Sequence, residues 1–477
     1  MTTSLLPLVV DLDGTLLNSD LLIESGLAFV RANPAKMLQP LLWLIAGKIQ
    51  LKDKLARSTA IDVTTLPYNH QVIALINQER AKGRTIVLAT ASHSRYAKKI
   101  AAHLQLFDQV LATDNTINLS GQKKRDVLIA SFGEQGFDYV GNSNDDLPVW
   151  KAARYAYVVN PEWGVEKKAQ QLGNVTEVIK SSTHNTFASW SKALRLHQWM
   201  KNLLIFVPLL ASHQLTNIDL LANGLLAFLC FGLCASSVYI LNDLLDLGDD
   251  RHHSSKRYRP FAAGSVSIKM GLLAFPVLLA SAFVGAIAFL PPLFAESLAV
   301  YYGLTLIYSL SLKRLMVVDV IALAMLYTMR IIAGIFAFNV SMTFWLLTFS
   351  MFIFLSLALV KRYAELREAR HKGKTEKTKG RGYYPDDLEM ISSLGASSGY
   401  LAVMVLALYI QDPNTIALYQ HPQVIWLACP LLLFWISRTW LLTHRGQMHD
   451  DPIVFAIKDR TSLVVGGLFG LIFWLAI

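Results

Sequence analysis

Charge is scarce in this chain: 16% of its 477 residues are Asp, Glu, Lys or Arg, against about 25% in ordinary soluble proteins. The shortage is uneven, because residues 1–190 hold 20 of the 44 basic and 17 of the 34 acidic side chains, leaving the remainder thinly charged. Cysteine is scarcer still. The three present, Cys230, Cys234 and Cys429, each sit inside an apolar run, which excludes a disulfide scaffold and a thiolate metal site. Residues 1–9 carry no basic cluster before their short apolar stretch, and Asp11 and Asp13 follow at once, so no secretory signal peptide is expected. Hydrophobic residues make up 53% of the chain, which excludes disorder, and the length of the apolar runs excludes a single soluble domain.

From about residue 203 those runs recur at lengths suited to crossing a bilayer: 203–212, 219–241, 268–290, 293–312, 317–338, 343–360, 390–410, 423–443 and 461–477. The first is short and draws on residues from 197 onward, giving an expected count of nine helices. Basic residues test that count. Of the 24 after position 190, 23 fall in alternate connections or at the span ends beside them and none in the intervening set, and the remaining one, Arg330, lies inside the fifth span. The asymmetry predicts a multi-pass protein of the inner (plasma) membrane with a cytoplasmic N-terminal domain. A net charge of +10 is then a topology signal, and nucleic acid is not an expected partner.

Residues 1–180 read as a soluble domain, 181–190 as a linker and 191–477 as an all-α membrane domain. Hydrophobic strands are expected at Leu5–Val10, Thr85–Ala89 and Phe137–Val140. Helical patterns separate them, as in an α/β Rossmann-like parallel sheet whose ligands gather at the strands' carboxyl ends. Residues 21–65 form a helical insertion with apolar Met37–Ala46 near its middle, placed either as a cap over the site or against the bilayer. Asp11 and Asp13 lie two residues apart where the first strand ends, followed by Gly14 and Thr15. Such a pair suits phosphate chemistry: one carboxylate attacks phosphorus, the other shuttles a proton, and Mg2+ bridges the nucleophile to phosphate oxygens.

The string Asp11-Leu12-Asp13-Gly14-Thr15 resembles the first motif of the haloacid dehalogenase superfamily. Thr90 then resembles the phosphate-binding hydroxyl of the second motif, Lys124 in Gly121-Gln122-Lys123-Lys124 the charge-neutralising lysine of the third, and Gly141–Asp146 the metal-binding loop of the fourth. The resemblance implies a phosphatase with Asp11 as nucleophile, Asp13 as acid/base, and Mg2+ held by Asp11, the Asp13 carbonyl, and the loop of Asn142 and Asp146. Asn142 stands where the family commonly has Asp. An amide oxygen is a weaker magnesium ligand than a carboxylate, which lowers the expected metal affinity.

After the second apolar run comes Asn242-Asp243-Leu244-Leu245-Asp246-Leu247-Gly248-Asp249-Asp250, then a basic loop with Lys256, Arg257 and Arg259. Spacings of three and four place Asp243, Asp246 and Asp250 on one face of a helix end, where they repel unless a cation binds. Mg2+ suits such oxygen clusters and bridges carboxylates to substrate phosphates. The expected site is therefore a magnesium-diphosphate site ringed by basic residues.

This string resembles the NDxxDxxxD motif of the UbiA superfamily of membrane prenyltransferases, whose fold is a nine-helix bundle around a cavity. The aromatic-acceptor branch carries a second Asp-rich motif after the sixth helix. Here that connection reads Lys361-Arg362-Tyr363-Ala364-Glu365, with one acid. Together with Arg195-Leu196-His197-Gln198-Trp199-Met200-Lys201-Asn202 and the strings Met448–Pro452 and Lys458–Arg460, it resembles the branch of polyprenyl-phosphate (decaprenyl-phosphate) phosphoribosyltransferases.

That branch implies phosphoribosyl diphosphate as donor and a polyprenyl phosphate as acceptor; the fusion of a phosphatase-like domain to it is the reason to expect the N-terminal domain to remove the 5-phosphate. Magnesium at Asp243, Asp246 and Asp250 would neutralise the leaving diphosphate. Lys201, Lys256, Arg257 and Lys361 form an expected cradle for phosphates, and Arg195, Asn202, Asn242, Arg259, Arg362, Tyr363 and Glu365 are further substrate-contact candidates. Asp319 begins the fifth span and Arg330 lies eleven residues on. Intramembrane charge is costly and functional by default, so Arg330 is expected at a substrate phosphate or paired with a carboxylate such as Asp319. A homo-oligomer is compatible with this reading. Two alternatives stand beside it: prenyl transfer to an aromatic acceptor, and a transporter with a catalytically silent soluble domain.

Overall fold

The structure is a computed structural model that describes all residues except 1–4, 115–116, 182–185, 374, 377–380, 417–418 and 449–450. The chain forms two compact units: Met1–Leu194 with Tyr239–Pro276, and Arg195–Val238 with Val277–Ile477.

The first unit is built on six parallel strands: β1 (Leu8–Val10), β2 (Ile86–His93), β3 (Gln109–Thr113), β4 (Asp138–Gly141), β5 (Ala156–Val159) and β6 (Val175–Ile179), in the order β3-β2-β1-β4-β5-β6. β1 is apolar throughout because it is covered on both faces. Leu8 and Val10 enter one core with Ile76, Ile86 and Ile100, while Val9 enters the opposite core with Val87, Tyr139 and Trp150. In this order the chain reverses direction between β1 and β4, which opens a crevice at their carboxyl ends. Asp11 follows β1 and Asn142 follows β4, so both chain segments that carry the expected phosphate motifs arrive at that crevice. β2 runs three residues past Thr90, with its register to β3 shifting between Thr90 and His93.

The insertion after β1 is helical, as its periodicity predicts: α1 (Leu21–Ala32), α2 (Gln39–Ile45) and α3 (Lys48–Ser58). Asp20 starts α1 by accepting the Leu22 and Ile23 amides at 3.0 and 3.1 Å, satisfying two donors that a helix start leaves bare. Phe29 of α1 packs on Leu51 and Leu55 of α3 and edge-to-face on Trp43 of α2.

Seven described helices are long and apolar enough to cross a membrane: Ile218–Leu245, Ile268–Phe289, Pro292–Leu310, Val318–Phe338, Phe344–His371, Pro385–Ile410 and Pro422–His444. The pair Pro452–Lys458 and Arg460–Ala476, bent by 83°, makes an eighth if it is one span. The first of the nine expected spans is instead a run of tight 3-10 turns, Leu196–Phe206, followed by a five-residue helix, Val207–Ala211. The second unit's apolar core joins Ile331, Leu357, Leu406, Leu432 and Ile436 from four successive helices. Of the expected linker, 182–185 lies outside the described residues, and the helix Phe187–Ala193 begins within its span.

Candidate functional sites

At the β1/β4 crevice two buried acids, Asp11 and Asp146, meet a buried lysine, with Asp13 within electrostatic reach of the pair. Lys124, carried by the helix Gly121–Phe132, donates to Asp11 at 2.7 Å and to the Tyr139 hydroxyl at 2.9 Å, and lies 3.6 Å from Asp146. Burial pushes Asp11 up to about 7 against the opposing pull of Lys124, with Asp146 and Asp13 adding to the rise. Burial likewise pushes Asp13 up to about 6, despite the Leu21 amide at 2.8 Å and the Ser92 hydroxyl at 2.6 Å that donate to its carboxylate. Burial alone would lower Lys124, but Asp11 and Asp146 outweigh it and hold the ammonium above its ordinary value. Both carboxyls are lifted chiefly by burial, with neighbouring carboxylates adding to the rise.

The remaining motif residues surround that pair. Thr90 is fully buried and accepts the Ser92 amide at 2.9 Å. Gly14 has a left-handed φ of +76°, and a Cβ there would stand 2.2 Å from the Asn142 amide nitrogen, so only glycine lets the two motif loops approach. Asp146 is committed to its own loop: one oxygen accepts the Asn142 and Ser143 amides and the Ser143 hydroxyl, the other the Tyr139 hydroxyl at 2.7 Å. Its position in the structure is that of a residue that holds Asn142 in place. Lys52 of α3, absent from the expected site, reaches in to the Ala91 carbonyl and Asn118 at 2.6 Å each. Burial lowers its ammonium from the ordinary value. Its only sequence signal is a lysine on the buried side of a cap helix.

The acidic loop belongs to the same unit. Asp243 and Asp250, both buried, converge on the Arg259 guanidinium at 3.1 and 2.8 Å, and burial lifts Asp250 above the usual carboxylate range against Arg259. Asp246 departs from the expected common face. The helix Ile218–Leu245 stops one residue before it, a new helix Leu247–His252 starts one residue after it, and Asp246 turns to Arg31 of α1 at 3.1 Å. Asn242 is half-buried beside Asp243, whereas Lys256 and Arg257 are exposed, Arg257 lying over the Tyr258 ring. Arg251, outside the expected set, is buried and forms a two-point ion pair with Glu24 of α1 at 2.8 and 2.7 Å. Glu24 and Arg31 lie seven residues apart on one face of α1, a spacing that marks two charges on that face but not their partners.

In the second unit a further set of charges is buried. Lys201 lies 2.7 Å from Asp451, with Lys361 at 3.4 Å and the Tyr327 hydroxyl donating at 3.0 Å to the same carboxylate. Arg330 donates to Asn202 at 3.0 Å, to the Tyr301 hydroxyl at 3.1 Å and to the Leu326 carbonyl at 2.6 Å. Its guanidinium carbon sits 5.0–5.8 Å from the rings of Tyr301, Phe231 and Tyr327. Asp451, Tyr301 and Tyr327 are additions to the expected site; Asp451 falls in the Met448–Pro452 string, of which His449 and Asp450 lie outside the described residues. Arg195 takes a left-handed backbone, φ 51°, at the start of the 3-10 run.

One expected pairing is corrected. Asp319 joins Arg362, at 2.6 Å, and accepts the Tyr383 hydroxyl at 2.6 Å. Eleven residues of helix put Arg330 about 16 Å along the axis from Asp319, whereas Arg362 approaches it from another helix. Glu365 completes the group by pairing with Arg362, and Tyr363 meets His444 at 2.8 Å and packs on Trp440. With side chains 0% and 1% exposed, Asp319 and Arg362 form a structural pair. Removing one partner strands a buried charge at a cost of about 3–5 kcal/mol. Asp319→Asn and Arg362→Met should therefore each lower thermal stability in detergent more than the double variant does, as a double-mutant cycle measures. Equal and additive losses would contradict the pairing.

The helices, acidic loop and appended α/β domain define a membrane transferase, and the chain belongs to the UbiA prenyltransferase family, whose profile matches residues 203–475. Its N-terminal part is a fused haloacid dehalogenase-like hydrolase domain, matched over residues 8–151. The uncharacterized protein y4nM of Sinorhizobium fredii is 37% identical over 99% of this chain and 91% of its own length. Nodulation protein NoeC of Azorhizobium caulinodans is 39% identical over 60% of this chain and 93% of its own. Decaprenyl-phosphate phosphoribosyltransferase of Mycobacterium tuberculosis is 32% identical over 60% of this chain and 92% of its own.

Proposed function

We propose that the membrane domain transfers 5-phosphoribose from phosphoribosyl diphosphate to a polyprenyl phosphate, and that the N-terminal domain then removes the 5-phosphate. The observation that carries the first half is the 32% identity to a decaprenyl-phosphate phosphoribosyltransferase across 92% of that enzyme. The local chemistry agrees. In the connection where an isoprenyl-diphosphate enzyme needs a second acidic cluster, this chain has Lys361, which faces Asp451, and Arg362, which is spent on Asp319.

Magnesium fits the acidic loop by its donor set. Among the described residues no three His, Cys, Asp or Glu side chains stand together as a ready cage, but buried Asp243 and Asp250 already converge on one cation, the Arg259 guanidinium. Asp243 and Asp250 would hold the metal, which would neutralise the departing diphosphate, while Asp246 is turned to Arg31. A lipid phosphate oxygen bonds to ribose C1 as the bond from C1 to the diphosphate breaks; the acceptor is already ionised, so no base is required. Within the second unit, Lys201, Lys361 and Arg330 offer positive charge suited to phosphate oxygens, with Asn202 and Tyr301 fixing the Arg330 fork.

In the N-terminal domain the cluster of carboxylates fits a divalent cation at Asp11, the Asp13 carbonyl and Asn142, with Asp146 closing the loop. Asp11 attacks the 5-phosphate phosphorus. Asp13, oriented by Ser92 and the Leu21 amide, gives its proton to the departing ribose oxygen and takes one from the hydrolytic water. Thr90 and Lys124 bind the phosphoryl oxygens. The fusion supports this order of steps, because a phosphatase carried on the transferase chain meets the phosphorylated lipid where it is made, at the cytoplasmic face.

The test is a competition in which the purified protein receives phosphoribosyl diphosphate and an isoprenyl diphosphate together, with polyprenyl phosphate and an aromatic acid as acceptors. Consumption of the first donor alone supports the proposal, and consumption of the second with the aromatic acid establishes prenyl transfer instead. Arg330→Gln should lower the transfer rate by roughly 10- to 100-fold, the loss of one charge-assisted phosphate contact of about 1.5–3 kcal/mol. An unchanged rate would remove Arg330 from the site.

A further inference from the structure

Helix α2 and its approach, residues 37–46, carry no charge, and their apolar side chains point outward: Met37, Leu38, Leu41, Leu42 and Ile45 are exposed, Leu38 by 66% and Ile45 by 83%. A soluble domain does not leave such a contiguous patch bare without a use. Exposed Lys36 and Lys48 bracket it.

What covers the patch follows from what α1 touches. Arg31 donates to the carbonyl of Leu245, the last residue of a membrane-crossing helix, at 3.3 Å and pairs with Asp246 beside it. Two residues earlier on α1, Phe29 holds the Trp43 ring of α2 with centroids 5.0 Å apart. Two helical residues rise about 3 Å, so the middle of α2 is held close to the end of that helix. The next span, Ile268–Phe289, starts in the same unit and is only 11% buried, so its sides face lipid.

We propose that α2 is an interfacial anchor whose Leu38, Leu41, Leu42 and Ile45 side chains enter the bilayer, with Lys36 and Lys48 at anionic headgroups. An uncharged apolar segment flanked by lysines is the composition that lies in the interface plane. Trp43 ties the anchor to α1, and α3, which follows α2 after Gly47, delivers Lys52 to the phosphatase crevice. The insertion thus serves both as cap and as membrane contact. The proposal is independent of which substrates the two domains use.

The test uses the full chain in nanodiscs of phosphatidylethanolamine and phosphatidylglycerol, spin-labelled in separate variants Leu42→Cys and Ile45→Cys, with Lys54→Cys as an exposed position of α3. The native cysteines are all buried, and unsubstituted protein taken through the same labelling sets the background. Power saturation by oxygen, which concentrates in lipid, is compared with saturation by a water-soluble nickel chelate. The expected result is an oxygen-to-chelate ratio several-fold higher at 42 and 45 than at 54. A ratio at both positions equal to that at 54 would place the patch in water. Exclusion of both reagents would place it against protein. Either outcome overturns the anchor.

Discussion

Asp243→Asn lowers phosphoribosyl transfer by roughly 100-fold or more, the scale at which removing one preorganised charge contact at the reacting group is felt. The side chain keeps its shape, and Arg259 keeps Asp250 as a partner at 2.8 Å, so the loop stays folded. What is lost is one of two buried negative charges converging on a single cation position. Two readouts separate that loss from a folding defect: the initial rate of labelled lipid formation, and the magnesium concentration at half-maximal rate, which should rise. Asp249, with a side chain 77% exposed and Arg31 as its partner, is the contrast; Asp249→Asn should leave both readouts within about twofold. A transfer rate unaffected by Asp243→Asn would remove the acidic loop from the chemistry and favour the transporter reading.

Asp11→Asn abolishes dephosphorylation, by about 10³-fold or more as expected for a lost nucleophile, while the transfer rate stays unchanged. The asparagine still accepts from Lys124, so the crevice keeps its packing, but the amide oxygen does not displace an alkoxide from phosphorus. Lipid-linked 5-phosphoribose then accumulates in place of the lipid-linked ribose, as thin-layer separation and phosphate analysis of the lipid report. Asn142→Asp makes the complementary change. It restores a carboxylate beside Asp11, and dephosphorylation should reach half-maximal rate at lower magnesium; an unchanged magnesium dependence would mean that the amide is not a ligand.

Both motif sets are legible in the amino-acid sequence because each is local. Asp11 and Asp13 span three positions after an apolar strand, and Asp243, Asp246 and Asp250 span eight around a helix end, so spacing alone brings them near each other. The pairings that organise those residues are not local. Glu24 and Arg251 are 227 positions apart and Lys201 and Asp451 are 250 apart, and no period in the chain announces either. Even within the local motif the helix break at Asp246 leaves no mark in the spacing, because the turn toward Arg31 depends on α1. The expected face of three acids is therefore two acids on Arg259 and one on the cap. Asp319 departs from expectation for a similar reason: the nearest basic residue along its own helix is Arg330, whereas Arg362 on another helix supplies the partner. The spans are legible by composition, but their number is less so, since the run 203–212, apolar enough to count, is divided between the end of the 3-10 stretch Leu196–Phe206 and the five-residue helix Val207–Ala211.

Purified full-length protein, given phosphoribosyl diphosphate labelled with carbon in the ribose and with phosphorus at the 5-position, together with polyprenyl phosphate and Mg2+, tests both halves at once. Carbon label should enter the lipid and the phosphorus label should then leave it as inorganic phosphate. A lipid fraction without carbon label would refute the transfer, and a lipid that keeps both labels in equal measure would refute the phosphatase.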